Sequence, residues 1–319
     1  MGTLYPEIWV LSLFVSDDCL CLRLKYVEKT FQNEYISTMT ILRKLLLTTL
    51  VTLVFLLIME GSAAIYLATQ PNIYQGDLGS FWQLQPNLAH KIEQEEYSFT
   101  IRTNSLGLRD TEALDTERWL FLGCSTTLGW GVEQEEGFVD LLDQKLDADI
   151  INGGQPGWTT QQALMGLSTF KELNPQRIFI GFGVRDAQFS SIADRDARPK
   201  PAIFSLNILQ VLGELAPKTE QTGDIRRVSA EHFERNLRLI RKSFPRADVQ
   251  FYRFPHLQRE AEYDRVIKGL DGSFPRGFQP QHFFRKDTIH LNQAGHQKLA
   301  DWFIASLASE SKIPELQKK

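Results

Sequence analysis

The stretch that decides the fold is Arg118-Trp119-Leu120-Phe121-Leu122-Gly123-Cys124-Ser125-Thr126-Thr127-Leu128-Gly129. Its first half is a short, largely apolar run that ends at a glycine, which is typical of a buried strand. A serine follows this strand closely, and sites in parallel α/β sheets collect beyond the carboxyl ends of the strands. We therefore predict a buried strand over 118–123 and a cleft-facing side chain at Ser125.

Outward from this stretch, apolar runs alternate with helix-like segments. Further strands are predicted at 149–152, 177–182 and 248–254, and helices at 136–146, 160–173, 230–244 and from an N-cap at Asn292 to about residue 307. Short strands separated by helices imply right-handed crossovers, a mainly parallel sheet and helices on both of its faces. The predicted fold class is therefore α/β.

Two segments depart from this alternation. Residues 70–98 contain glycines and prolines but no clear periodicity, so we interpret 69–99 as a stalk or irregular lead-in to a domain at 100–310. Residues 188–227 combine prolines, a polar loop and a short helix predicted at 204–215. We interpret this second segment as an insertion that could form a lid.

The composition disfavours several classes of site. The net charge is −4, from 35 basic and 39 acidic residues, so no basic surface for nucleic acid is indicated. The three cysteines, Cys19, Cys21 and Cys124, provide neither a disulfide framework nor the paired spacing of a zinc site. No metal or cofactor is implied. The hydrophobic content of 43% is ordinary for a globular protein with a sizeable core.

An apolar segment near the N-terminus predicts a membrane helix. Residues 45–59 carry no charge, and apolar residues resume after Glu60 for about two further turns. About 20 residues span a bilayer, so 42–68 suffices if Glu60 lies near the outer interface. Arg43 and Lys44 precede the apolar run, and the positive-inside rule then places the N-terminus in the cytoplasm. The main domain is predicted to be membrane-anchored and extracytoplasmic.

Two other interpretations of this segment remain open. A cleavable signal peptide would end near Ala64, since Ser62 and Ala64 are small residues of the kind that signal peptidase prefers, and the protein would then be secreted. The second is a buried core helix, although no polar stripe interrupts the run. Upstream, 1–38 is interpreted as a disordered extension or as a segment outside the native protein, whose true start would then be Met39.

A carboxylate and a histidine near the C-terminus are candidate partners for Ser125. Asp287 precedes His290 by three residues, directly before the final helix, so one turn can bring them together. A carboxylate that accepts from one imidazole nitrogen leaves the other nitrogen to take the serine proton. These three residues form a candidate catalytic triad. Taken alone, Ser125 could instead cap the following helix, and His296 is expected to serve in packing or hydrogen bonding.

A second strand end, Asn152-Gly153-Gly154-Gln155-Pro156-Gly157-Trp158, is rich in glycine. Glycine permits positive φ and lets the backbone approach a ligand closely. We expect the backbone N–H groups of Ser125 and Gly154 to stabilise an oxyanion. A plain tight turn is the alternative for the glycines.

Taken together, these motifs resemble the SGNH, or GDSL-type, hydrolase superfamily. The similarity covers about residues 100–308, and Asp287-x-x-His290 with the following Leu-Asn-x-x-Gly-His is its most specific part. Ile151-Asn152-x-Gly154-x-x-Gly157 is similar to the glycine block, and 102–110 resembles the lead-in of membrane-anchored bacterial members. The resemblance implies a three-layer α/β/α fold with a flavodoxin-like sheet, preceded here by one transmembrane helix.

The chain departs from the superfamily pattern at two positions. Cys124 stands where the superfamily has the aspartate of Gly-Asp-Ser. It is thereby an alternative nucleophile, although a thiol next to the exposed position would point away from the cleft. Arg185, in Gly183-Val184-Arg185-Asp186, stands where an asparagine amide completes the oxyanion hole. Its guanidinium is longer and bulkier but can donate, so Arg185 is a further candidate oxyanion donor.

The triad and the resemblance together predict a serine esterase or acyl-transfer enzyme that works through an acyl-Ser125 intermediate. The resemblance suggests carbohydrate or cell-envelope esters as substrates. Cys124 and Arg185 leave a second function open, namely a catalytically weak or inactive member that binds a glycan or an assembly partner. Hydrolysis and acyl transfer differ in whether water is excluded from the acyl-enzyme. No oligomeric state is predicted.

Overall fold

A computed structural model describes residues 17–69, 72–77, 81–112, 117–198, 206–215, 223–258 and 260–309. The chain divides into two compact units. One unit comprises Met1–Thr69 and Leu206–Glu214, and the other comprises Gln70–Ser205 and Leu215–Lys319.

The first unit is built on a single long helix. Helix α1 (Asp17–Thr69) has 53 residues, and its apolar part is the one described helix that is long and apolar enough to cross a membrane. Helix α1 begins inside the segment 1–38, which the sequence indicated as a separate extension, and continues past residue 38 without a break. It can do so because no glycine or proline interrupts the chain between Asp17 and Glu60. Residues 1–16 of that prediction lie outside the described part of the chain. Helix α6 (Asn207–Leu215) is the other element of this unit.

The second unit contains a four-stranded parallel sheet. Its strands lie in the order β10 (Asp248–Phe251), β7 (Arg177–Gly181), β5 (Arg118–Gly123) and β6 (Asp149–Gly154). All four predicted strands are present. The mainly parallel sheet is therefore confirmed, and β5 lies in its interior, as its unbroken apolar run requires.

Helices cover both faces of this sheet, because alternate residues of each strand point to opposite sides. Leu120 and Leu122 face one layer, whereas Trp119 and Phe121 face the other. The first layer contains α4 (Thr160–Met165), α5 (Leu167–Glu172), α7 (Ala230–Ser243) and α8 (Ala261–Gly269). The second contains α3 (Phe138–Asp143) and α9 (Gln293–Ser309). The predicted three-layer α/β/α architecture is confirmed.

The helix predicted over 160–173 is divided in two at Gly166, where an added Cβ would lie 2.5 Å from the Trp158 ring. Helix α8 was not predicted. The helix capped by Asn292 is present, and the Asn292 side chain accepts a hydrogen bond from the N–H of Gly295.

The lead-in at 69–99 is not a stalk. It contributes two antiparallel hairpins, β1 (Tyr74–Asp77) with β2 (Phe81–Leu84), and β3 (Ala89–Glu93) with β4 (Ser98–Arg102). The predicted domain start at residue 100 falls inside β4. Each strand has only four or five residues, too few for a clear periodic pattern, yet together they bury a small apolar cluster against Leu128.

The insertion at 188–227 is closed at its base by a short antiparallel pair, β8 (Phe189–Ser190) with β9 (Ile225–Arg226). Next to β9, Arg227 forms a bidentate ion pair with Asp194, with Nε 3.0 Å from Oδ1 and Nη2 2.9 Å from Oδ2. The helix predicted at 204–215 is present as α6, and residues 199–205 and 216–222 lie outside the described part of the chain. The lid remains a prediction.

Candidate active site

Strand β5 ends in a tight turn that leads directly into a short helix, α2 (Ser125–Leu128). Two glycines allow this turn to pack closely. A Cβ on Gly123 would lie 2.0 Å from Thr127 Oγ1, and one on Gly154 would lie 2.2 Å from the backbone N of Leu128. Helix α2 therefore rests directly on the ends of β5 and β6, and Ser125 is held at the carboxyl edge of the sheet.

The three predicted triad residues come together in one hydrogen-bonded chain. His290 Nε2 lies 2.8 Å from Ser125 Oγ, and His290 Nδ1 lies 2.6 Å from Asp287 Oδ2. The other carboxylate oxygen of Asp287 accepts the backbone N–H of His290 at 3.2 Å, which closes the three-residue turn expected from the sequence. If Nδ1 donates to the carboxylate, Nε2 is left as an acceptor that faces the serine hydroxyl.

The surroundings of Asp287 keep it ionised. Partial burial raises its pKa, but hydrogen bonds from His290 and Tyr97 outweigh burial, so the pKa of Asp287 lies well below its ordinary value. A carboxylate that stays charged at neutral pH can hold His290 in one tautomer and stabilise its protonated form.

Tyr97 is a member of this network that the sequence analysis missed. It lies in the turn between β3 and β4, and its hydroxyl donates to Asp287 Oδ2 at 2.9 Å and accepts from Trp130 Nε1 at 3.1 Å. Burial and the hydrogen bond to Asp287 raise the pKa of Tyr97 to about 12, so the hydroxyl keeps its proton. No local pattern could have revealed this contact, because 190 residues separate the two partners.

The neighbouring residue Glu96 binds the start of the loop that carries Asp287 and His290. Its carboxylate accepts the backbone N–H groups of Arg285, of Lys286 at 2.8 Å and of Asp287 at 3.4 Å. The β3–β4 turn therefore positions the Asp287–His290 loop through two adjacent side chains, Glu96 and Tyr97.

The Cys124 side chain faces away from this network. It is 1% exposed, belongs to the apolar core, and lies 3.1 Å from Thr126 Oγ1. The thiol therefore has no access to a substrate, which contradicts the alternative that Cys124 is the nucleophile.

Two predicted oxyanion donors have other partners. The N–H of Gly154 donates to Asn152 Oδ1 at 3.1 Å, and Gly154 is covered by Leu128. Arg185 directs Nη1 to Gln188 Oε1 at 2.9 Å. Gln188 engages only one nitrogen of the Arg185 guanidinium, and the buried Arg185 Nε has no hydrogen-bond partner among the described residues. The oxyanion roles of Gly154 and Arg185 therefore stay predictions. By contrast, the N–H of Ser125 begins helix α2 and has no hydrogen-bond partner within the described residues.

The glycine turn after β6 is fixed from several sides. The Gln155 side chain accepts from the N–H of Leu84 at 2.8 Å and donates to the carbonyl of Gly107 at 3.1 Å. Trp82 Nε1 donates to the Pro156 carbonyl at 2.9 Å. Arg227 Nη1 donates to the Gly157 carbonyl at 3.1 Å, where φ is +77°. These hydrogen bonds therefore fix the conformation of the glycine turn.

Arg109, in the 102–110 segment, has a structural role. The guanidinium is fully buried and donates to four backbone carbonyls at 2.8 to 3.1 Å, namely those of Leu128, Gly129, Thr100 and Val132. Burial lowers the pKa of Arg109 to about 10, so the side chain remains a cation at neutral pH. It ties the loop after α2 to β4.

His296 is separate from the candidate site, as expected. Its Nδ1 accepts the N–H of Phe138 at 3.2 Å, and its ring stacks on the Phe138 ring. Complete burial lowers the pKa of His296 to about 3, so the imidazole is neutral.

This chain is similar to several known proteins. The family model described as GDSL-like lipase/acylhydrolase matches residues 121–298, and no curated protein matches. A lipase/acylhydrolase from Enterococcus faecalis is similar in structure, with 16% identity over 63% of this chain and 100% of that chain (TM-score 0.43). An acetyl xylan esterase from Geobacillus stearothermophilus is similar at 15% identity over 60% of this chain and 94% of that chain (TM-score 0.40).

The family match spans more than half of the chain and contains Ser125, Asp287 and His290. It confirms the resemblance noted in the sequence. The chain belongs to the GDSL-like lipase/acylhydrolase family and is an ester-hydrolysing enzyme with the SGNH hydrolase fold.

Proposed function

We propose that the protein is a membrane-anchored, extracytoplasmic serine esterase or acyl-transfer enzyme that works through an acyl-Ser125 intermediate. The observation that carries this proposal is the hydrogen-bonded chain from Ser125 Oγ to His290 and on to Asp287, at 2.8 and 2.6 Å. A serine hydroxyl is a weak nucleophile until a base accepts its proton, and this arrangement supplies that base.

In the proposed first step, Ser125 Oγ attacks the ester carbonyl carbon while His290 Nε2 takes the hydroxyl proton. The ester C–O bond then breaks, and His290 returns the proton to the departing alcohol. In the second step, water or another hydroxyl attacks the acyl-Ser125 carbonyl, again with His290 as base. Ser125 is released with its proton restored, and Asp287 stabilises the imidazolium in both steps.

The negative charge on the carbonyl oxygen needs donors that are fixed before the reaction. We assign the N–H of Ser125, which lies at the start of α2 without a partner among the described residues. The N–H of Gly154, which the sequence also suggested, donates to Asn152, whereas the Nε of Arg185 is buried without a partner among the described residues and stays a candidate donor.

The membrane part of the proposal rests on α1. Its apolar side chains are exposed, with Leu57 at 71% and Leu53 at 53%, and Arg43 and Lys44 precede them. A helix with this exposed surface is suited to lipid rather than to water. An enzyme tethered in this way outside the cytoplasm would meet the carbohydrate and lipid esters of the cell envelope, which we propose as its substrate class.

A fluorophosphonate probe tests the chemistry directly. We expect the full-length protein to be labelled on Ser125, the Ser125→Ala variant to be unlabelled, and the matched Cys124→Ala variant to be labelled as the wild type is. Circular dichroism of each variant verifies that the fold is intact. Absence of labelling in a folded wild-type protein would contradict the proposal. It would favour the second function, a non-catalytic member that binds a glycan or an assembly partner, for which Cys124 and Arg185 are the motivating departures.

Product analysis by mass spectrometry separates hydrolysis from acyl transfer. A hydrolase releases free acid at the same rate with or without an added sugar acceptor. A transferase forms the acylated sugar, and its release of free acid decreases as the acceptor concentration rises.

A further inference from the structure

Glu60 is an ionisable residue within an otherwise apolar helix. It lies fifteen positions after Leu45, where the uncharged run begins, and apolar residues follow it up to Leu67. Ionisable residues in membrane segments are costly and are almost always paired with other polar groups. Glu60 therefore needs a partner if α1 lies in a bilayer.

The partner is the first turn of α6. Glu60 Oε1 accepts the backbone N–H of Asn207 at 2.8 Å and its side-chain Nδ2 at 2.9 Å, and Oε2 accepts the N–H of Ile208 at 3.1 Å. The first N–H groups of a helix have no partner within the helix and carry partial positive charge. The Glu60 carboxylate thus accepts hydrogen bonds from N–H groups at the start of α6 that have no partner within the helix. These N–H groups in turn stabilise the negative charge of the carboxylate.

The position of Glu60 defines the depth of this contact. At 1.5 Å per residue, Glu60 lies about 22 Å along α1 from Leu45. The hydrocarbon core of a bilayer is about 30 Å thick. With Leu45 at the inner boundary of this core, Glu60 lies about 8 Å inside the outer boundary. Amphipathic helices that bind membrane surfaces are buried to about 5–10 Å, which is the same depth.

Helix α6 has the apolar face that such a position requires. Ile208, Val211 and Leu212 follow one another at the three- and four-residue spacing of a single helix face. Leu212 is 54% exposed, and Leu206, just before the helix, is 44% exposed. Glu60 links this helix to α1, whose apolar side chains are also exposed.

We propose that α6 is an interfacial membrane helix, docked by Glu60 into the outer leaflet with its Ile208–Leu212 face in contact with lipid. This inference rests on the proposed anchoring by α1. We propose that the α6 face contacts the lipid bilayer. If it instead contacts another protein surface, the lipid nitroxide will not quench the label at 212.

The test uses the full chain with Cys19→Ser and Cys21→Ser, since Cys124 is buried and does not react. Single cysteines at Leu212, at Leu53 in α1 and at Leu239, an exposed residue of α7, carry an environment-sensitive nitrobenzoxadiazole label. The protein is reconstituted in vesicles of phosphatidylcholine and phosphatidylglycerol, with and without lipid that carries a nitroxide on its acyl chain. We expect the nitroxide to quench the labels at 53 and 212 at least threefold more than the label at 239.

Glu60 variants test the docking itself. Glu60→Leu should reduce quenching at 212 by at least half while quenching at 53 is unchanged, and the conservative Glu60→Asp should restore most of it. If the label at 53 is quenched but the label at 212 resembles that at 239, the inference is overturned and the anchor stands. If the label at 53 is not quenched, both the anchor and the inference fail.

Discussion

The Tyr97 hydroxyl lies 2.9 Å from Asp287 Oδ2 and extends the hydrogen-bonded chain from Ser125 into the β3–β4 turn. Asp287 thus accepts hydrogen bonds from both His290 and Tyr97 through one oxygen. The network begins at Trp130, which donates to Tyr97 and lies two residues beyond α2. Both ends of this chain therefore lie close to the nucleophile turn.

Tyr97→Phe should lower kcat about 10-fold and leave KM nearly unchanged. The change removes a hydrogen bond to a charged group, worth about 1.5–3 kcal/mol, but keeps the ring that packs 4.5 Å from Phe284. Hydrolysis of p-nitrophenyl acetate measures both constants. Tyr74→Phe is the matched control, since Tyr74 is outside the network, and it should retain full activity. An unchanged kcat in Tyr97→Phe would show that the tyrosine does not position Asp287.

Glu96→Ala should loosen the Asp287–His290 loop, because three backbone N–H groups lose their acceptor. We expect kcat to decrease about 10-fold and amide hydrogen exchange over 285–288 to become faster. Glu95→Ala is the matched control. Among the described residues, Glu95 pairs with the exposed Lys286 side chain alone, and exposed ion pairs contribute about 0–1 kcal/mol. Equal effects of the two variants would contradict a positioning role for Glu96.

Arg185→Ala tests the role that the sequence suggested for this side chain. Because Arg185 donates to Gln188, we expect kcat to remain within about threefold of the wild-type value, whereas losing an oxyanion donor costs about 10²- to 10³-fold. Gln188→Ala frees the guanidinium without removing it and serves as the comparison. A 100-fold loss of kcat in Arg185→Ala alone would contradict this expectation and identify Arg185 as an oxyanion donor.

His296 should make the fold sensitive to acid. Its pKa is about 3 in the folded protein, against about 6.5 in an unfolded chain, so only the unfolded chain takes up a proton between these values. Stability therefore decreases as pH falls below 6.5, and at pH 5 the loss from this residue is about 2 kcal/mol.

His296→Asn keeps an acceptor for the N–H of Phe138 but does not titrate. Urea unfolding at pH 8 and pH 5 should show a smaller decrease in the free energy of unfolding for the variant than for the wild type, by about 2 kcal/mol. Equal decreases would mean that His296 is already protonated in the folded protein at pH 5.

Several features of this protein could be predicted from the sequence alone. The strand at 118–123 and its parallel neighbours were predictable because burial on both faces of a sheet imposes a short apolar run. Asp287 and His290 could be paired because three residues span one turn. Ser125 was a candidate because it follows a buried strand at the edge where parallel sheets place their sites. Each of these inferences depends on neighbours along the chain.

Only the tertiary structure revealed the supporting residues. The hairpins at 74–102 have strands too short to leave a periodic signal, yet their turn places Glu96 and Tyr97 against the loop at 285–290. The partners of Gly154 and Arg185 likewise depend on side-chain directions that spacing does not specify. Local periodicity follows from backbone geometry within a segment, whereas a contact across 190 residues exists only once the whole chain has packed.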